Sequence, residues 1–270
     1  MLAILMINKN YESIIIKNPK LPLLFCCDHA SNLIPKKYNK LGLDKTVLNS
    51  HIAFDIGAKK LTKVLSKRFN TSAILGKYSR LLIDLNRKEN HKNLIPKNSD
   101  EVIIPSNINL TKKDYQYRID QFHNPYHTKL SYELQKMDKL FFCKTALICI
   151  HSFTPSMKDK KKRPWDIGLL HRKDQSLYKP LIESLIKNNN FKIGKNKPYS
   201  GYDDVNHTMT THGEKSKRPF ISIEIRNDIF EEKNLDRYNQ LIKNISEAIF
   251  YSQLKIGEPY YTFAKNINLF

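Results

Sequence analysis

Four apolar runs in this chain end in polar groups suited to chemistry, and that pattern constrains the fold more than any other feature. They are Leu23-Leu24-Phe25-Cys26-Cys27-Asp28-His29, Arg80-Leu81-Leu82-Ile83-Asp84-Leu85-Asn86-Arg87, Ala146-Leu147-Ile148-Cys149-Ile150-His151-Ser152 and Phe220-Ile221-Ser222-Ile223-Glu224-Ile225-Arg226-Asn227-Asp228. Each is short, continuous and apolar, which reads as a strand buried on both faces. Helical periodicity fills the stretches between them, so strands and helices alternate, as in an α/β layered sheet. In open sheets of that class ligands bind beyond the carboxyl ends of the strands. One run ending in a polar loop is ordinary. Four that deliver such groups to one rim point to an active site.

The last run carries charge inside the strand itself. Alternation sends Glu224 and Arg226 to one face and Ile223 and Ile225 to the other. Desolvating an unpaired charge there costs roughly several kcal/mol, so both groups need partners or a cleft.

Strands are expected near 21–28, 80–85, 145–151, 167–170 and 219–226. Leu61, Val64, Leu65 and Phe69 mark a helix over Lys59 to Phe69. Thr111 and Asp114 form a capping box that opens a long helical stretch, kinked or split at Pro125. Asp174 is placed to cap a helix bearing Leu177, Leu181, Leu185 and Ile186, and a last helix carries Leu241, Ile242, Ile245 and Ile249. Segments 87–111 and 153–165 read as long loops. Neither an internal repeat nor a Pro/Gly/Ser-rich linker divides the sequence, so residues 1–270 are read as a single domain with a mixed, mainly parallel central sheet flanked by helices.

Charge suggests a partner class that its distribution then argues against. Lys and Arg number 46 against 26 Asp and Glu, a formal +20, which suits nucleic acid or an anionic membrane. The lysines are spread along the whole chain, however, and the one dense run, Lys158 to Arg163, has no interleaved aromatics. Neither nucleic acid nor membrane is expected as a partner, and the basic surface would steer small acidic molecules instead. The four cysteines lack CxxC spacing and sit in or beside apolar runs, as reduced core residues do. The first residues lack a basic n-region, and no apolar run reaches the length of a membrane span. A soluble cytoplasmic setting is expected.

A catalytic zinc site takes three protein ligands and leaves one position open. His29 and His151, each at the end of a strand, are the first two ligand candidates. Asp55, just before a helix, is the third ligand or that helix's N-cap. Glu224 is the candidate general base of a metal-assisted hydrolysis, or half of a buried ion pair with Arg226 or Arg80. Asn86 and Arg87, with Arg226, suit a bidentate grip on a substrate carboxylate, the alternative for Arg87 being a salt bridge to Asp84 or Glu89. Arg80 suits a developing oxyanion or a second carboxylate.

His29-Ala30-Ser31-Asn32, Asp84-Leu85-Asn86-Arg87, Ile150-His151-Ser152 and Ile223 to Asp228 follow the order used by zinc carboxypeptidases and aspartoacylases. The chain more closely resembles the N-formylglutamate amidohydrolase family. That resemblance rests on Cys27 to Asn32 with Ile34-Pro35, His51 to Ala58, Ser79 to Arg87, Phe122 to His127 and His151 to Pro155. Arg163 to Gly168, Pro198 to Gly201 and the Glu224 strand complete it. The resemblance implies a zinc-exopeptidase-like fold and zinc-dependent hydrolysis of an N-formyl or N-acyl acidic amino acid, N-formylglutamate to glutamate and formate above all. A carboxypeptidase-like hydrolase of a peptide or cell-wall fragment is the alternative. One departure bears on the metal: Asn32 stands where the carboxypeptidase pattern has Glu, an amide being a poor zinc ligand.

Overall fold

Three of the four apolar runs become neighbouring parallel strands, and the fourth does not. The computed structural model describes residues 4–7, 10–157 and 161–266, with side-chain surroundings for 10–157 and 161–257. Its strands are β1 (Ile4–Ile7), β2 (Tyr11–Ile15), β3 (Leu23–Cys27), β4 (Ala73–Gly76), β5 (Asn98–Ser99), β6 (Val102–Ile103), β7 (Ala146–Phe153), β8 (Ile167–Leu170), β9 (Ile193–Lys195) and β10 (Phe220–Arg226). The α-helices are α1 (Lys45–Leu48), α2 (Ala58–Phe69), α3 (Lys112–Arg118), α4 (Asn124–Phe141), α5 (Tyr178–Asn188) and α6 (Leu235–Asn266). Eight strands form one sheet in the order β1-β2-β4-β3-β7-β10-β8-β9. The central strands β4, β3, β7 and β10 run parallel; β2 joins β4 and β8 joins β10 antiparallel. The expected mixed, mainly parallel α/β sheet is present.

Side-chain alternation splits each central strand between two cores. Leu23, Phe25 and Cys27, with Ile148, Ile150, Ile221, Ile223 and Ile225, pack in one cluster with residues of α2, α5 and α6. Leu24, Cys26, Leu147, Cys149 and Phe220 pack on the other face with Tyr126, Leu130 and Leu134 of α4. The parallel register pairs Ser222 with Cys149 and Glu224 with His151, on this second face, and the antiparallel pairing sets Glu224 opposite Gly168. All four cysteines are free thiols.

Residues 80–85, expected as a strand, form a turn-rich loop. The reason lies in how its peptide groups are satisfied. Leu81 O accepts from Asn107 Nδ2 at 2.8 Å, Leu82 O accepts from Arg118 Nη1 at 2.9 Å, and Asp84 N donates to Leu94 O. Side chains replace the strand neighbour, and Leu81, Leu82 and Ile83 bury themselves against Ile119 and Phe122 in a separate cluster. The sheet position beside β3 belongs to Ala73–Gly76, which the sequence reading did not assign to a strand.

Thr111 caps α3 by accepting from Asp114 N, as expected. A π-helical turn at Ile119–His123 then separates α3 from α4, with Pro125 in the first turn of α4. Asp174 holds a turn through Ser176 rather than capping α5, which starts at Tyr178. Segment 87–111 contains the small β5–β6 hairpin. Residues Lys158 to Lys160 of the dense basic run lie outside the described residues. Among the described residues no helix is long and apolar enough to cross a membrane.

Gly168 makes the row around Glu224 possible. A Cβ at this position would lie 2.2 Å from Lys197 O and 3.1 Å from Glu224 Cβ. Gly168→Ala should therefore destabilise the protein by roughly 1–3 kcal/mol through overpacking, measured as a lower urea midpoint at unchanged slope.

Candidate active site

The site grows out of the row on the α4 side of the sheet. Cys26 pairs with Cys149, so Asp28 and His151, two residues on, leave β3 and β7 side by side. Asp28 Oδ1 accepts from Tyr126 OH at 2.7 Å and from Thr208 Oγ1 at 3.0 Å, which turns Oδ2 towards His151 Nε2, 3.3 Å away. His29 follows on β3, and its Nε2 lies 2.7 Å from Asp84 Oδ1. The two imidazole centres are 5.1 Å apart.

Asp55 joins them from the segment before α2. Its Oδ2 lies 2.8 Å from His151 Nδ1 and 3.4 Å from His29 Nδ1. Gly57 is the N-cap of α2 and no side chain caps it, so the Asp55 carboxylate faces the histidines and not the helix. Asn32 turns away, donating to Leu48 O and Asn49 Oδ1.

These three residues suit a metal ion. Each offers one ligand atom, and the atoms lie within 4.8 Å of one another. Asp84 behind His29 Nε2 holds the proton there and leaves the Nδ1 lone pair to face inward, as second-sphere carboxylates do at zinc, whereas His151 Nδ1 meets the Asp55 carboxylate at 2.8 Å and would release that proton to an ion. His29 Nδ1 is buried and makes no hydrogen bond. Tetrahedral ligands at about 2.0–2.1 Å from zinc stand about 3.3 Å apart, close to the 2.8 and 3.4 Å separations here.

The electrostatics follow from burial and pairing. Burial pushes Asp28 and Asp55 up, but the neighbouring histidines more than reverse this and hold both below the usual carboxylate range. Asp84 is likewise held well below that range, by Arg80 and then Arg87 against burial. Burial pushes His29 and His151 down, yet the carboxylates around them leave both above the usual imidazole range. Glu224 is 6% exposed, and burial is the main cause that raises it to about 7. It forms no ion pair with Arg226 or Arg80 among the described residues, and it faces the cleft.

A cavity of about 170 Å³ opens over this cluster, and seven of the eight expected site residues line it: His29, Asp55, Arg80, Asn86, Arg87, His151 and Glu224. Arg80 lies 2.8 Å from Asp84 and 3.6 Å from Asp55. Arg87 donates through Nη1 to Val205 O at 2.8 Å and reaches Asp84 at 3.7 Å, while its buried Nε has no hydrogen-bond partner. Asn86 Oδ1 accepts from Thr208 N, which leaves its amide nitrogen for the cavity.

Arg226 is the exception. Its guanidinium pairs with Asp166 at 2.9 Å and Asp228 at 2.8 Å and donates to Trp165 O, away from the cavity. The strand ends at Arg226, and the backbone turns into a 3₁₀ segment at Asn227. Same-face alternation with Glu224 therefore carries it past the cleft to its edge.

Sequence reasoning missed Ser152, Tyr199, Val205 and Asn206, which complete the cavity wall, and the backing roles of Asp28 and Asp84. Asp28 and Asp84 lie inside the motifs already noted, whereas Tyr199 had only its place in the Pro198 to Gly201 resemblance. Also missed is a group of imidazoles on the far side of Asn86 and Arg87: His123, His127, His207 and His212. Burial, reinforced by the neighbouring imidazoles, lowers His127 well below the usual range and brings His207 and His212 to about 4.

Comparison with known proteins fits this geometry. The profile of the N-formylglutamate amidohydrolase family matches residues 21–231. A solved gene product from Agrobacterium tumefaciens is similar at 30% identity and a TM-score of 0.78, over 86% of this chain and 91% of that one. An N-formylglutamate amidohydrolase from Ralstonia eutropha shares the fold at 17% identity and a TM-score of 0.67, over 92% and 97% of the two chains. No curated protein matches the sequence significantly.

The raised imidazoles make stability depend on pH in metal-stripped protein. A histidine whose folded pKa lies above the unfolded value of about 6.5 stabilises fully below that value and loses its contribution as pH rises through the folded pKa. Glu224, raised to about 7, acts with the same sign. Chelator-treated protein should thus unfold at lower urea at pH 8 than at pH 6.5. An equal or higher midpoint at pH 8 would show that the cluster does not hold its histidines protonated.

Proposed function

The chain belongs to the N-formylglutamate amidohydrolase family, and from that premise we propose that it is a zinc-dependent hydrolase that cleaves the amide bond of a small N-acylated acidic amino acid, N-formylglutamate first among them. An N-formylglutamate amidohydrolase hydrolyses a carbon–nitrogen bond that is not a peptide bond. One observation carries the finer reading. His29, Asp55 and His151 meet Glu224 and two guanidinium groups in one cavity of about 170 Å³. Drug-sized ligands occupy cavities of about 300 Å³ and more, so this volume favours a small metabolite over a peptide.

His29, Asp55 and His151 would hold the ion, which when bound supplies Lewis acidity to the acyl carbonyl and to water. Glu224 accepts a proton from the attacking water through a carboxylate oxygen and returns it to the departing nitrogen. One water adds across the carbon–nitrogen bond, leaving formate and a free amine. A group poised at about 7 can do both, being neither too weak to accept nor too strong to release. Arg80 stays charged between Asp84 and Asp55 and faces the position where negative charge develops on oxygen. Arg87 Nε, buried without a hydrogen-bond partner, and the side-chain nitrogen of Asn86, whose Oδ1 is held by Thr208 N, take a carboxylate of the substrate.

Glu224→Gln keeps the shape and removes the proton acceptor. Turnover of N-formylglutamate should fall by on the order of 10²–10⁴, while circular dichroism and zinc content stay those of the wild type. A folded, zinc-loaded variant with wild-type turnover would end this mechanism.

Arg87→Lys should cost about 2–4 kcal/mol in kcat/KM, because an ammonium cannot reproduce the planar fork. The wild type should discriminate against substrates whose carboxylates are amidated. Equal rates on carboxylate and amide substrates would remove Arg87 and Asn86 from substrate binding.

A further inference from the structure

Behind Asn86 and Arg87 the chain gathers imidazoles that this reaction does not use. Ring centres lie 4.4 Å apart for His123 and His127, 4.7 Å for His127 and His207, and 5.4 Å for His123 and His207. One nitrogen from each of the three lies within 4.8 Å of the others. Three imidazoles on one tetrahedral ion, with nitrogens about 2.0–2.1 Å from it, have ring centres about 5 Å apart. The rings are therefore already spaced for an ion.

Hydrogen bonds fix where the lone pairs are. His123 Nε2 lies 2.9 Å from Arg87 O, and a carbonyl only accepts, so the proton is on Nε2 and the lone pair on Nδ1. That Nδ1 is buried with no partner, in a residue only 2% exposed. His127 Nε2 donates to Leu85 O at 2.8 Å in the same way, which leaves its Nδ1 to accept from His212 Nε2 at 2.9 Å. His207 Nδ1 faces Thr211 Oγ1 at 3.3 Å, leaving Nε2 available. A cavity of about 110 Å³ reaches His207, lined also by Asp203, Asp204, Lys88 and Arg172.

We propose that His123, His127 and His207 form a second cation site, separate from the one at His29, Asp55 and His151. An all-imidazole set selects a borderline first-row dication such as zinc over magnesium or calcium, which take oxygen ligands. Binding asks for one rearrangement: His212 must release the Nδ1 of His127. The ion would brace the substrate side of the cleft, because these rings hold the carbonyls of Leu85 and Arg87, and His207 N donates to Asn86 O.

Zinc content after equilibrium dialysis of chelator-stripped protein tests this. The wild type should hold two ions per chain, and His123→Ala/His207→Ala one fewer than the wild type. His29→Ala/His151→Ala should also keep one, so failure of the first site and failure of the second give different patterns. An unchanged count in His123→Ala/His207→Ala would overturn the proposal. Should that variant not fold, His207→Gln should weaken binding of the second ion at least tenfold. Wild-type crystals soaked in zinc should show an anomalous peak among the three rings, and none at saturating zinc would also overturn the site.

Discussion

The cleft depends on the parallel register between β7 and β10. Pairing of Glu224 with His151, and of Cys26 with Cys149 one strand over, sets Asp28, His151 and Glu224 in a row across three strands. A one-residue slip would turn every member of that row into the opposite core. The apolar partners on that opposite face, Ile223 and Ile225 against α2 and α6, are what forbid the slip. The site's precision is thus set by isoleucine packing beneath it.

Charge balance explains why so many ionisable groups can be buried together. Asp28, Asp55, Asp84 and Glu224 stand against Arg80 and Arg87. With neutral imidazoles and ionised Glu224 this leaves two excess negative charges, the complement of a dication. Without the ion, protons on His29 and His151 supply the missing positive charge, which is why both histidines are raised. The same surplus distinguishes this cleft from the imidazole group behind Asn86, where His123 and His127 donate to the carbonyls of Arg87 and Leu85.

How much was legible in the sequence depended on the range of the interaction. β3, β7 and β10 announced themselves as unbroken apolar runs, because strands buried on both faces need nothing else. Their polar ends marked His29, His151 and Glu224 directly. Residues 80–85 carry the same signature yet form a loop, since Asn107 and Arg118, far along the chain, satisfy their carbonyls. Periodicity holds no record of such partners. Arg226 failed for a related reason: alternation gives a face but not how far along the strand the cleft extends. Asp55 could be reduced only to two roles from sequence, and the absence of a side-chain cap on α2 removes the capping one.

The cavity has walls of two kinds. His29, His151 and Glu224 come from strands or lie within two residues of one, whereas Tyr199, Val205 and Asn206 line the cavity from a segment outside the sheet. Such a division separates heritable changes in selectivity from changes in chemistry. Substitutions in 199–206 can recut the cavity wall at little risk to the strand register, because that segment carries none of the sheet's hydrogen bonds. Directed evolution towards altered selectivity would then have a short stretch of chain to randomise, with His151 and Glu224 left on the central strands.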